Sequence, residues 1–231
     1  MGFFSNLFGK KDVASTQPAP EPNNIPLDTY KPPENVNYVT PASSGILNLR
    51  KNDVLNLSKV SANLSKIRVA AGWDVNSGLG ADYDLDLCAF LLDRNNRPVK
   101  GIVNPVYYGN MKSRGVRLDG DNLTGEGDGD DENIYVTLSA LPTSVERIIF
   151  NVVIYKASSR RQFFSKVKNA YVRIVDETNG GKELCRFNLS DDGGQASAVV
   201  FSELYKENGT WNFRAIGEYT NGSIHDLFEK Y

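Results

Sequence analysis

From Ile46 onward the chain runs in short stretches where apolar and polar residues alternate, punctuated by Gly, Asn and Asp. A side-chain period of two belongs to a strand with one buried face, whereas a helix needs apolar residues three and four apart. "GILNLRKNDVLNL", "KIRVAAGW", "DYDLDLCAFLLD", "NIYVTL", "RIIFNVVIYK", "AYVRIVD", "ELCRFNL", "SAVVFSELY" and "WNFRAIGEY" all carry this pattern. About ten strands with regularly spaced turn residues predict an all-β fold: a two-sheet antiparallel β-sandwich forming one domain over residues 45–231. Helical spacing is confined to "SSRRQFFSKVKNA" and "SIHDLFEKY", so one or two short helices are expected. With 231 residues, 40% of them hydrophobic, the chain can bury one sizeable core.

The start of the chain has a different texture. Residues 12–44 are rich in Pro, Ser, Thr and Asn and poor in large aliphatics, a composition that gains too little from burial to offset its ordering entropy. They are expected to form a flexible, partly polyproline linker. Before it stands "MGFFSNLFGKK", residues 1–11, with Phe3, Phe4, Leu7 and Phe8 near helical spacing and two lysines following. Such a segment suits either a membrane interface or a docking site on a protein partner. It lacks the lysine-first order of a secretory signal and the Ser or Thr at position 6 of a myristoylation signal. No run reaches the roughly 18 apolar residues of a spanning helix, so the cytoplasm is the expected compartment. Cys88 and Cys185 lie far apart in apolar runs, as buried free thiols do.

Charge is distributed unevenly. The formal net charge is only -2, and nothing in that balance points to nucleic acid as a partner. Yet residues 119–132 hold seven acidic side chains and no Lys or Arg, leaving 26 basic against 21 acidic residues elsewhere. Two carboxylates about 5 Å apart repel by about 3 kcal/mol at an effective dielectric near 20, so the stretch "GDNLTGEGDGDDE" either splays into water or is neutralised by cations. Oxygen donors without His or Cys suit calcium or magnesium, and a Gly-rich backbone favours calcium, which accepts about six to eight oxygens in tolerant geometry. Glycines 120, 125, 127 and 129 would let carbonyls turn inward as well. In "DYDLDL", Asp82, Asp84 and Asp86 alternate with Tyr83, Leu85 and Leu87, which puts three carboxylates on one strand face. Neither segment fits the EF-hand pattern, since Leu87 or Thr124 falls where its glycine is required.

These segments, with "GWD" at 72–74, "DLDLCAFLLD" at 84–93, "RQFFSKVKNAYVRIVD" at 161–176 and "ELY" at 203–205, resemble the TerD family of bacterial tellurium-resistance and stress-response proteins. The resemblance implies a β-sandwich that binds calcium, with two ions expected, through the acidic loop and the Asp-x-Asp strand. Carried over by position, the implied metal ligands are Asp84, Asp86, Asp121, Asn122, Asp130, Asp131 and Glu132. Glu126 and Asp128 come next, and Asp82 and Asp119 are peripheral. A role in stress or tellurite resistance within protein complexes at the inner face of the membrane is also implied, with residues 1–11 as a tether.

Other residues invite sharper readings that the sequence does not favour. His225, the single histidine, has no nucleophile motif to serve and is expected at the surface. Phe163 and Phe164 are expected to pack a short helix onto a sheet, leaving Arg160 and Arg161 solvated. Trp73 and Trp211 are expected as core anchors. The leading expectation is a non-enzymatic calcium-binding module. The alternatives are a metal-dependent hydrolase or nuclease and a binder of a small ligand, nucleotide or sugar, bridged by calcium.

Overall fold

Two facing sheets form from the alternating stretches, as a computed structural model shows. It describes residues 30, 33–40, 46–61, 63–76, 78, 80–127, 129–189 and 193–231. Among them are thirteen strands: β1 (Asn37–Val39), β2 (Leu47–Asn48), β3 (Asp53–Asn56), β4 (Lys66–Gly72), β5 (Leu85–Leu92), β6 (Lys112–Ser113), β7 (Val116–Leu118), β8 (Glu132–Thr137), β9 (Arg147–Ile154), β10 (Tyr171–Asp176), β11 (Lys182–Asn188), β12 (Ala198–Glu207) and β13 (Thr210–Thr220). One sheet has the order β1-β3-β13-β12-β9-β5, the other β2-β11-β10-β4-β8-β7-β6. The sandwich is therefore as expected, but it is not wholly antiparallel. Strands β1 and β2, short additions at one edge of each sheet, pair in parallel with β3 and β11.

Inward residues of both sheets build one core, including Ile67, Val69, Leu87, Leu91, Ile134, Val136, Phe150, Val152, Phe201 and Phe213. Strands β5 and β9 are buried along their whole length. Their outer face carries Cys88, Phe90, Leu92, Ile149 and Val153, and the C-terminal helix covers it with Ile224 and Leu227. Phe90 meets Phe228 edge-on at 5.1 Å and Tyr231 at 6.0 Å. That second layer explains why "DLDLCAFLLD" reads as a nearly continuous apolar run. Both cysteines are free and buried, as expected.

β5 is a sheet edge, and three of its outward donors have partners. Leu87 N–H donates to the Glu132 carboxylate at 2.5 Å, Ala89 exchanges backbone bonds with Val106, and Leu91 N–H donates to the Asn104 side chain. An edge capped this way cannot template pairing with another chain.

The helices are shorter than expected. α1 (Leu57–Val60), α2 (Ala157–Arg160) and α3 (Ile224–Phe228) are single turns. α1 begins at the last residue of a stretch expected as strand, where the Asn56 side chain caps the Lys59 N–H. α2 stops at Arg161, whose φ of 51° is left-handed, and a 3-10 turn (Phe164–Lys166) follows. α3 begins with a capping box between Ser223 and Asp226.

The linker expectation needs correcting at its C-terminal end. Tyr30 and residues 33–40 dock on the domain: β1 adds to the edge of β3, and the Tyr38 hydroxyl donates to Glu207 at 3.0 Å. The Tyr30 hydroxyl donates to Glu203, and the Arg147 guanidinium lies 3.9 Å from the Tyr30 ring centre. Composition averaged over residues 12–44 hides two tyrosines that find partners on the domain, buried ones in the case of Tyr30. Residues 1–29, including the amphipathic start, lie outside the described residues. Deleting residues 1–40 should lower stability by about 2 kcal/mol relative to deleting residues 1–29, because it removes Tyr30 and β1. Equal denaturant midpoints for the two truncations would contradict this docking.

Candidate metal centre

One mouth of the sandwich is built where β5 begins. Just before it, the chain is clamped by three bonds: Trp73 Nε1 donates to the Tyr83 carbonyl at 3.0 Å, Tyr155 N–H to the Asp84 carbonyl at 2.8 Å, and Gln162 Nε2 to the Ala81 carbonyl at 2.8 Å. Opposite stands the acidic loop, folded around Asn122. Its Oδ1 accepts from Gly125 N–H at 2.9 Å, and its Nδ2 donates to Asp131 at 2.9 Å. Asp131 in turn accepts from the Trp73 N–H at 2.9 Å. Loop and strand are thus tied together through Trp73.

The result brings Asp84, Asp86 and Asp121 together, with one carboxylate oxygen of each within 4.8 Å of the others. Asp84 and Asp86 are each 4% exposed, whereas Asp121 is exposed. Asp84 Oδ1 is buried without any hydrogen-bond partner. Its Oδ2 lies 3.6 Å from Arg160 Nη1. Burial pushes the Asp86 carboxyl up to about 8, and the neighbouring Asp84 and Asp121 add to the shift. Asp84 is also raised, by burial against the opposing pull of Arg160. Glu132, buried behind the trio, is raised well above the ordinary range by burial, despite its bond from Leu87 N–H. Repelled, desolvated carboxylates around an orphaned oxygen form an oxygen-only donor set suited to a hard cation. An open cavity of about 510 Å³ leads to them.

The other expected ligands stand elsewhere. Asn122 and Asp131 are committed to each other and to the backbone, and the Glu126 side chain is exposed. Asp128 lies outside the described residues. For Asp130 the expectation is corrected: it faces the outer surface of the other sheet. Arg173 binds both its oxygens, at 2.8 and 2.7 Å, and Arg68 and the Tyr171 hydroxyl also donate to it. Burial would raise this carboxyl, but those arginines hold it below the usual range. Neighbouring residues on an extended backbone point to opposite sides, so Asp130 and Asp131 do not share a site.

The sequence reading missed three residues at the cavity. Arg160, expected in solvent, is half-buried against Asp84, and Tyr108 and Tyr155 line the same space. The apolar-then-basic end of "RIIFNVVIYK" was the available signal for Tyr155. His225 is exposed and Trp73 is buried, as expected, while Trp211 is only partly buried.

A protein-family model described as "TerD domain" matches residues 46–231. The chain belongs to the TerD family. The chain is 41% identical over 187 residues to a tellurium resistance protein TerD from Alcaligenes sp, covering 80% of this chain and 96% of that one. It is 39% identical over 191 residues to general stress protein 16U of Bacillus subtilis (strain 168), again over 80% of this chain and 96% of the relative. The crystal structure of a TerD homologue from Streptomyces coelicolor A3(2) superposes with a TM-score of 0.61 at 23% identity, over 72% of this chain and 96% of that chain, a likeness of fold. Among the described residues no helix is long and apolar enough to cross a membrane.

Two outcomes follow for this TerD-family domain. Carboxyls raised on folding bind protons more tightly in the folded chain, so between about pH 4 and pH 8 stability falls as pH rises. Without metal, the melting midpoint should be lower at about pH 8 than at about pH 5, and a flat or rising profile would refute the raised carboxyls. Asp130→Ala strands two arginines and should cost about 3 kcal/mol. Denaturant unfolding would show it, and a loss within error of zero would contradict the pairing.

Proposed function

We propose that this TerD-family domain is a calcium-binding module of a bacterial stress or tellurium-resistance system. The single observation that carries the reading is the buried, partnerless Asp84 Oδ1 among three carboxylates that converge within 4.8 Å. Asp84, Asp86 and Asp121 would hold the ion, with Glu132 behind them and loop carbonyls within its reach. The bound ion supplies positive charge that the protein itself does not provide there. A second ion, as the family resemblance implies, would draw on the rest of the acidic loop, with Glu126 and Asp128 as the candidates. The names of the relatives support the stress and resistance setting.

The role is binding without turnover, through a mouth whose charge changes when the ion enters. Contact with protein partners, or with the cytoplasmic face of a membrane through residues 1–11, belongs to the same proposal. Calorimetric titration of the full chain with calcium, with magnesium as control, tests it. Binding should be calcium-selective and should be lost in the Asp84→Asn, Asp86→Asn double variant, which keeps shape and removes charge. Asp130→Asn should still bind. No calcium binding by the unaltered chain, or equal binding by the double variant, would end this reading.

A further inference from the structure

Arg160 is a cation held only by a long ion pair to Asp84. Its Nη1 lies 3.6 Å from Asp84, beyond hydrogen-bond length, and its guanidinium donates no hydrogen bond among the described residues. The side chain is 28% exposed, and its guanidinium sits 5.3 Å from the Tyr155 ring centre. Lys156 Nζ lies 5.0 Å from the same ring. Tyr108, 38% exposed, meets Tyr155 edge-on at 5.8 Å and Tyr107 at 5.0 Å. The cavity over the acidic trio shares Asp86, Tyr108 and Tyr155 with a neighbouring cavity of about 430 Å³ that continues to His225. The two cavities adjoin, and the cleft they line has an acidic floor, a cationic rim and an aromatic wall.

The charges set an order of events. Asp82, Asp84, Asp86 and Asp121 line the first cavity, and Arg160 and Lys156 are the cations beside it. With all four carboxylates ionised, their charge outweighs the two cations and an anion is repelled. One divalent ion would bring four positive charges against four negative, and the ion and the loosely held guanidinium would then call for the same kind of group. A carboxylate has two oxygens to offer, whereas a tetrahedral phosphate presents oxygens to a metal ion and to an arginine fork at once. An exposed tyrosine face beside them suits a planar or apolar body.

We infer that the cleft takes a phosphate-ester ligand, whose phosphate bridges the calcium ion and Arg160 while its body rests against Tyr108. This rests on the calcium reading above. The phosphate has two sources with the same chemistry, a soluble nucleotide or a lipid headgroup. The test uses the full chain, with AMP by calorimetry and vesicles of phosphatidylcholine containing phosphatidic acid by co-sedimentation, each with calcium and with chelator, beside Arg160→Ala and Tyr108→Ala.

At least one probe should bind only when calcium is present. Arg160→Ala should weaken it by about tenfold or more, the scale of a lost charge-assisted hydrogen bond, and Tyr108→Ala should weaken it less. Calcium titration of Arg160→Ala should remain, because the carboxylates are intact. AMP binding would identify a soluble ligand, and vesicle binding alone a lipid headgroup. Calcium binding with neither probe bound, or equal probe binding by Arg160→Ala, overturns this inference while leaving the metal site standing. Failure of calcium itself to bind overturns both, and the titration separates the two cases.

Discussion

Asp84, Asp86 and Asp121 share one guanidinium, while elsewhere in the same fold a single buried carboxylate receives two. Glu203, fully buried, is held by Arg147 and Arg214. Asp130 is held by Arg68 and Arg173. A carboxylate taken out of water needs partners for its charge and its lone pairs, and both of those sites supply them. At the mouth of the sandwich the supply stops short, with Arg160 at 3.6 Å and Asp84 Oδ1 left with none. Raised carboxyl pKa values there and a lowered one at Asp130 express the same difference. The fold balances buried acids elsewhere and leaves these unbalanced, and the proposed cation would make up the difference.

Glu132 shows how that imbalance is tied into the framework. It starts β8 in one sheet, and its carboxylate caps the Leu87 N–H on the edge strand of the other. One side chain thus closes a sheet edge and adds charge behind the trio. Replacing the charge with an amide keeps an acceptor for Leu87, whereas truncating it opens the edge. The acidic loop is therefore structural at its C-terminal end and open to a ligand at Asp121.

Much of this was legible in the sequence because alternation reports which way a strand faces. "DLDLCAFLLD" became β5 with Asp84 and Asp86 on one side, and the acidic loop came to lie over it. Alternation does not report which strand lies next door. Arg68 and Arg173 sit on β4 and β10, and only their pairing puts both beneath Asp130. Arg160 is more than seventy residues from Asp84 in the chain, and its approach depends on a one-turn helix ended by a left-handed Arg161. The docked Tyr30 was hidden for another reason: a single aromatic with buried partners outweighs a disordered-looking composition around it.

The clamps on the site use none of the trio's own carboxylates. Trp73 joins Tyr83 to Asp131, Asn122 folds the loop, and Gln162 and Tyr155 hold the approach to β5. Gly125 fits this scheme: with φ of 76° it lies flat on Trp73, and a Cβ there would sit 2.6 Å from the indole nitrogen. A side chain at that position would pry the loop from the strand that supplies Asp84 and Asp86. Because the frame is set by groups outside the trio, an entering ion would have charge to neutralise but little chain to order. Under the proposed calcium reading, rigidity of this kind would sharpen affinity and direct the response of the mouth to its electrostatics. The group most exposed to that response is Arg160, whose long contact with Asp84 would weaken once another cation claimed the carboxylate.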